Sequence, residues 1–152
     1  PGSTNIPIST AVQQDDFFEV FSCVDERSAA YMAIGLSQVS NEPVVLSCTG
    51  ATASRNYMSA LTEAYYRKLP IITITSFNGN ENIGHLLAQN LDRRVMPNDT
   101  VKLSVQIPYI NNPDNVLFQI TNHNNFPKLL KVCHKLYLCK FFLIFHLINL
   151  NL

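Results

Sequence analysis

The chain is 152 residues long, enough for one domain with its own core and too short for two. Eleven Lys and Arg balance eleven Asp and Glu, and a net charge of zero excludes a protein that holds nucleic acid by its phosphates. Charged residues make up only 14% against 47% hydrophobic, so a sizeable core can form and part of the surface suits burial against something else.

No charged-then-apolar secretory signal opens the chain, and its first residue is Pro1 rather than Met, so a missing start is expected. Four cysteines without regular pairing argue against a disulfide scaffold and fit a reducing compartment, the cytoplasm. Cys23 and Cys48 sit in apolar runs and read as buried structural thiols.

Residues 17–24 (FFEVFSCV) are aromatic and β-branched and predict a first strand. Residues 26–40 contain no proline and place Ala29, Met32, Ala33, Leu36 and Val39 at the spacing of one helical face. Pro43 closes that helix, because proline disfavours αR in the residue before it. Residues 44–48 (VVLSC) form a nearly continuous apolar run, the pattern of a strand buried on both faces. A turn, Thr49-Gly50-Ala51-Thr52, leads into a second helix over 53–68, with Tyr57, Leu61, Ala64 and Tyr65 on one face. Arg67 and Lys68 suit the dipole at its C-terminus. Residues 70–76 predict a third, buried strand, and the alternation in 101–107 predicts a fourth, nearer an edge.

Strands alternating with helices over short connections imply an α/β fold, a mostly parallel sheet flanked by helices. Ligands bind such sheets beyond the carboxyl ends of the strands, which selects the residues after Val24, Cys48 and Ser76. Glu26 lies at one of these ends. On spacing alone it reads as an acid in a first helical turn, stabilised by the macrodipole, with a functional carboxylate as the alternative. The Thr49-Gly50-Ala51-Thr52 turn either simply connects strand to helix or offers backbone N–H groups to a ligand. It is neither a G-x-G-x-x-G fingerprint nor a P-loop.

Residues 1–125 read as the domain, and 126–152 as an atypical tail that is apolar and basic. The apolar stretch 141–148 is too short for a membrane span of about 20 residues, so a membrane role is not expected. Cys133, His134, Cys139 and His146 cluster there, but their spacing matches no common zinc site, and no metal ligand is assigned. His85 reads as a solvated loop histidine, and nothing resembling G-x-S-x-G supports a nucleophile.

Four segments together resemble the N-terminal, pyrimidine-binding domain of thiamine diphosphate-dependent enzymes. They are Pro1-Gly2-Ser3, Val24-Asp25-Glu26-Arg27-Ser28-Ala29-Ala30, Ser47-Cys48-Thr49-Gly50-Ala51-Thr52-Ala53 and Ala88-Gln89-Asn90-Leu91-Asp92. The likeness covers roughly residues 1–110 and is similar to the menaquinone-pathway branch and to acetolactate-synthase-like relatives. It implies the thiamine diphosphate pyrimidine-domain fold and a cofactor-activating role for Glu26, whose carboxyl would hydrogen-bond N1′ of the aminopyrimidine and favour its imino tautomer. That task needs a carboxyl that holds or shares a proton, against the dipole's preference for the anion. Thr49, Gly50 and Ala51 would line the pyrimidine pocket, Gln89 would stand near the thiazolium and its adducts, and Ser3 would contact substrate.

The resemblance also implies reaction at the carbonyl of a 2-oxo acid, a Mg²⁺ held by a diphosphate-binding domain, and a homo-oligomer in which the two domain types face each other. Three departures qualify it. Thr4 stands where the menaquinone branch has arginine, and losing a bidentate carboxylate clamp argues against isochorismate as substrate. Gly50-Ala51 replaces Ser-Gly. No Gly-Asp-Gly occurs, so the diphosphate domain is expected elsewhere and the chain is expected to be a fragment, half of a split enzyme or a frame-shifted product, inactive alone. The alternatives are a non-catalytic dimerisation or interaction module of the same fold, and a true 2-oxoglutarate/isochorismate-type synthase.

Overall fold

The computed structural model describes residues 2–77, 80–88, 90, 92, 96–106 and 142–148. Helix α1 (Ile6–Gln13) comes first, started by a proline in its first turn, where a missing N–H costs nothing. Helix α2 (Glu26–Ser40) follows, then strand β1 (Val44–Thr49). Two short helices, α3 (Ala51–Asn56) and α4 (Met58–Tyr66), lead to strand β2 (Ile71–Phe77). A 3₁₀ turn (Asn80–Asn82) precedes strands β3 (Leu103–Gln106) and β4 (Phe142–Ile148).

The four strands form one sheet in the order β1-β2-β4-β3. β1 and β2 are parallel, with Val44 opposite Ile71 and Thr49 opposite Ser76, as a helical crossover between neighbouring strands requires. β4 runs antiparallel to both β2 and β3, so the fold is α/β and the sheet is mixed. β3 lies at the edge, as its alternation suggested. The apolar tail stretch that is too short for a membrane supplies the strand between β2 and β3. No helix among the described residues is long and apolar enough to cross a membrane.

The core lies between the sheet and helices α2 and α4. Ala30, Ala33 and Ile34 of α2 meet Leu46 and Cys48 of β1, Tyr57, Ala60, Leu61 and Ala64 on the second helical stretch, and Ile71 of β2. β2 is buried from Ile71 through Ser76, as expected of a central strand.

Four expectations need correction. Residues 17–24 form no strand. The Asp15 carboxylate accepts from Phe17 N at 3.0 Å and the Asp15 carbonyl from Phe18 N at 3.0 Å, so local turns take N–H groups that a ladder would need. No described strand pairs with the segment, and Phe17, Phe21 and Val24 stay exposed. Second, the buried face of α2 is Ala30, Ala33, Ile34 and Ser37, one position on from that expected, with Met32 and Val39 exposed. Small residues let α2 approach the sheet closely, and Ser37 is admitted because its hydroxyl donates to the Glu42 carbonyl at 3.0 Å.

Third, β1 is buried on one face only: Leu46 and Cys48 point into the core while Val45 and Ser47 are exposed. Fourth, the second helix is broken at Tyr57, whose N–H bonds to the Ser54 carbonyl in place of an i−4 partner. Cys48 is a buried thiol as expected, whereas Cys23 sits in the irregular segment and is only half-buried.

Candidate functional site

Glu26 is the first residue of α2, and Asp25 puts it there. Asp25 has extended backbone and caps the helix, accepting from Ser28 N at 2.8 Å and from Ser28 Oγ at 2.9 Å. Those bonds, the backbone one foremost, hold the Asp25 carboxyl below the usual carboxylate range, with Arg27 adding to the effect. Because Asp25 fills the cap, the neighbouring Glu26 carboxyl is left for other partners. It is half-buried, and its Oε2 accepts from Asn56 Nδ2 at 3.0 Å. Its Oε1 accepts no hydrogen bond among the described residues.

Asn56 closes α3, and Tyr57 occupies the break before α4. Successive residues of a helical turn point about 100° apart. Asn56 therefore reaches α2 while Tyr57, only 2% exposed, enters the core. Burial pushes the Tyr57 phenol far above the tyrosine range, and Cys48, hydrogen-bonded to it, pushes it further, with smaller contributions from Glu26 and Cys23. That direction favours the neutral hydroxyl. Cys48 Sγ in turn donates weakly to Thr75 Oγ1 at 4.0 Å, and Cys23 Sγ to Met32 Sδ at 3.6 Å.

Thr49 ends β1, Gly50 precedes α3 and Ala51 begins it. Gly50 adopts a φ of 51°, a left-handed conformation that glycine tolerates, and its N–H donates to the Ser76 carbonyl at 2.9 Å. α3 is six residues long, roughly 9 Å, so the predicted pocket residues stand at its start and the Glu26–Asn56 pair at its end.

Ser3 is exposed in a turn over residues 2–5. That turn is tied to the carboxyl ends of both parallel strands: Ser76 Oγ donates to Thr4 Oγ1 at 2.9 Å, and Asn5 Nδ2 to Ser47 Oγ at 3.3 Å. A Cβ on Gly2 would lie 2.7 Å from Thr49 Cγ2, so glycine permits this close seat. Ser47, Thr49 and Ser76 alternate with Leu46, Cys48 and Thr75 along the strands, so the turn sits on the opposite face of the sheet from the helical core. No described contact joins Ser3 to Glu26.

Gln89 lies outside the described residues. Nearby, Asn90 is buried, and Arg55 of α3 donates to the Asp92 carbonyl at 3.4 Å. His85 is exposed in the turn after the 3₁₀ segment. Of the tail's Cys/His cluster, only His146 falls on a described residue, in β4. A cavity of about 10 Å³ between α3–α4 and β2, lined in part by Thr73, Tyr57 and Met96, has room for one water and no ligand. Asn56 is the site residue that sequence reading missed. Its signal was weak: an asparagine, a poor helix former, beside a buried tyrosine at the place where the helix breaks.

Residues 1–96 match the family described as thiamine pyrophosphate enzyme, N-terminal TPP binding domain. The chain belongs to this family. It is also similar to three proteins named 2-succinyl-5-enolpyruvyl-6-hydroxy-3-cyclohexene-1-carboxylate synthase. The one from Lysinibacillus sphaericus is 38% identical over 108 residues, 71% of this chain and 19% of that protein. That from Enterococcus faecalis is 37% identical over 107 residues, 70% and 18% respectively. That from Bacteroides thetaiotaomicron is 36% identical over 110 residues, 72% and 20%. The matched part of the chain therefore spans about a fifth of the length of these relatives.

The residues of this TPP-binding domain fit an aminopyrimidine chemically. Glu26 offers a carboxyl with one oxygen engaged and the other without a described partner, the minimum for sharing a proton with a ring nitrogen.

Proposed function

We propose that this chain binds and activates the aminopyrimidine of thiamine diphosphate, as part of an enzyme that makes or breaks a C–C bond next to the carbonyl of a 2-oxo acid. The observation that carries this reading is the Glu26 carboxyl at the start of α2, held through one oxygen by Asn56, in a chain of the TPP-binding family. Bound thiamine diphosphate supplies a nucleophilic carbon for addition to the 2-oxo acid; the protein supplies placement and a proton-sharing carboxyl.

In this reading Glu26 exchanges a proton with N1′ through Oε1. Thr49, Gly50 and Ala51 line the ring, the positive-φ Gly50 letting backbone come close. Ser3 and Gln89 stand on the substrate side. Mg²⁺ and the diphosphate are held by a diphosphate-binding domain supplied by a partner or by a longer chain, in a homo-oligomer in the cytoplasm. The isolated chain turns nothing over. Magnesium, transferase or lyase action and the oligomer all belong to this proposal.

A second reading draws on the matched relatives: a synthase with the activity their name states. Thr4 weighs against it. Its hydroxyl is engaged with Ser76, and the position offers no guanidinium to clamp a carboxylate.

The test is turnover of a 2-oxo acid by the chain with Mg²⁺ and thiamine diphosphate, alone and with the diphosphate-binding domain of a relative such as the Lysinibacillus sphaericus enzyme. We expect none alone, activity with the domain added, and its loss in Glu26→Gln. Full activity of Glu26→Gln would overturn the assignment of Glu26, and turnover by the chain alone would overturn the need for a partner. Inertness in every arm would leave an interaction module of the same fold.

A further inference from the structure

The backbone that carries Glu26 and the side chain of Glu26 are fixed by different residues. Asp25 holds the backbone as a helix cap, and its carboxylate is occupied by Ser28 N and Oγ, so it takes no part in orienting Glu26. Among the described residues the one side chain hydrogen-bonded to Glu26 is Asn56, thirty positions away in sequence. Asn56 is itself held. The residue after it is the buried Tyr57, packed in the core with Cys48, Ala60 and Leu61, and the helix it ends packs against α2. The nearby cation Arg55 points elsewhere, to the Asp92 carbonyl.

An amide nitrogen only donates, and a protonated carboxyl has one donating oxygen and one accepting oxygen. The oxygen facing Asn56 Nδ2 is therefore engaged as an acceptor, which leaves the other the better placed to exchange a proton with a ligand. Resting on the function proposed above, we propose that Asn56 is a positioning residue. By donating to Oε2 it sets the plane of the Glu26 carboxyl and assigns Oε1 as the oxygen that shares a proton with the aminopyrimidine. A carboxyl free to rotate would offer either oxygen and would lose part of its ligand interaction to ordering.

Nuclear magnetic resonance of the ¹⁵N-labelled chain tests this in two stages. Without ligand, the Asn56 side-chain amide signals should move in Glu26→Ala while backbone signals remote from α2 and α3 stay in place. Unmoved amide signals would overturn the pairing, whatever the chain binds. The second stage titrates thiamine diphosphate with Mg²⁺ into the chain, Asn56→Leu, Glu26→Ala and the double variant, each in the presence of the diphosphate-binding domain of a relative. A cofactor analogue with carbon in place of N1′ provides a parallel series.

Asn56→Leu should weaken thiamine diphosphate about tenfold when Glu26 is present, the worth of a charge-assisted hydrogen bond. The same change should cost less than about twofold in Glu26→Ala or against the analogue, because nothing is left to position. Equal weakening in both backgrounds would make Asn56 merely structural and overturn the proposal. Asn56→Asp, isosteric and without the amide donor, gives the same comparison if Asn56→Leu fails to fold. If the amide signals respond to Glu26 but no variant binds cofactor, the pair stands, and the proposed function falls together with the positioning role.

Discussion

Two apolar, β-prone stretches of this chain meet different fates. Residues 17–24 (FFEVFSCV) remain irregular and largely exposed, whereas FLIFHLI becomes β4 and is paired along its length with β2, and with β3 over part of it. Composition does not separate them. Partners do: β4 enters between two strands, while residues 17–24 spend N–H groups on Asp15 and meet no described strand. A β-prone sequence is a request for a ladder, and the rest of the fold decides whether one is present.

Breaking the paired stretch should have the largest effect. Phe145 lies opposite Ile74 on one side and Val105 on the other. Phe145→Pro should destabilise the chain by about 3 kcal/mol or more in denaturant unfolding, since proline in a central strand removes a ladder bond and clashes with it. Truncating the β2 residue at that register, Ile74→Ala, should cost about 2–4 kcal/mol, because Ile74 is 1% exposed and leaves a cavity.

A smaller effect belongs to the place where the irregular segment becomes helix. Asp25→Ala removes the cap of α2 and should lower the melting temperature by about 3 °C. Its pH dependence has a fixed sign. The Asp25 carboxyl is lowered in the folded state, so its stabilisation is full above the ordinary value of 3.8 and is lost as pH falls through the lowered one. The variant should therefore converge with the parent in acid. Least of all, Phe21→Ser in the unpaired segment should change stability by under about 0.5 kcal/mol, as Phe21 is half exposed. Amide hydrogen exchange sharpens the contrast directly, with slow exchange across 142–148 and prompt exchange across 17–24.

The same contrast explains what was legible in the sequence. Helix α2 was readable from Glu26 to Ser40 because its spacing, its freedom from proline and Pro43 are local signals; the Asp25 cap was not read. The core strand β2 was readable from its apolar run. The buried face of α2 was misplaced by one position because hydropathy favours Met32 over Ser37, whereas the sheet selects the small residue with a satisfied hydroxyl. Helix α1 carried no clear apolar period, and the break at Tyr57 is set by what Asn56 and Tyr57 touch across the fold. Glu26 was picked out as a residue where a strand hands over to a helix, and the structure keeps only the helix start; its partner thirty positions away was not legible, since the bond between them exists only after α2 and α3 pack.

The central claim is that Glu26 engages the aminopyrimidine of thiamine diphosphate. Near-ultraviolet circular dichroism of the chain, titrated with thiamine diphosphate and Mg²⁺ in the presence of a diphosphate-binding domain, tests it most directly. We predict a cofactor band that needs both components and disappears in Glu26→Gln. A band of equal size in Glu26→Gln, or none with the parent chain, would contradict the claim.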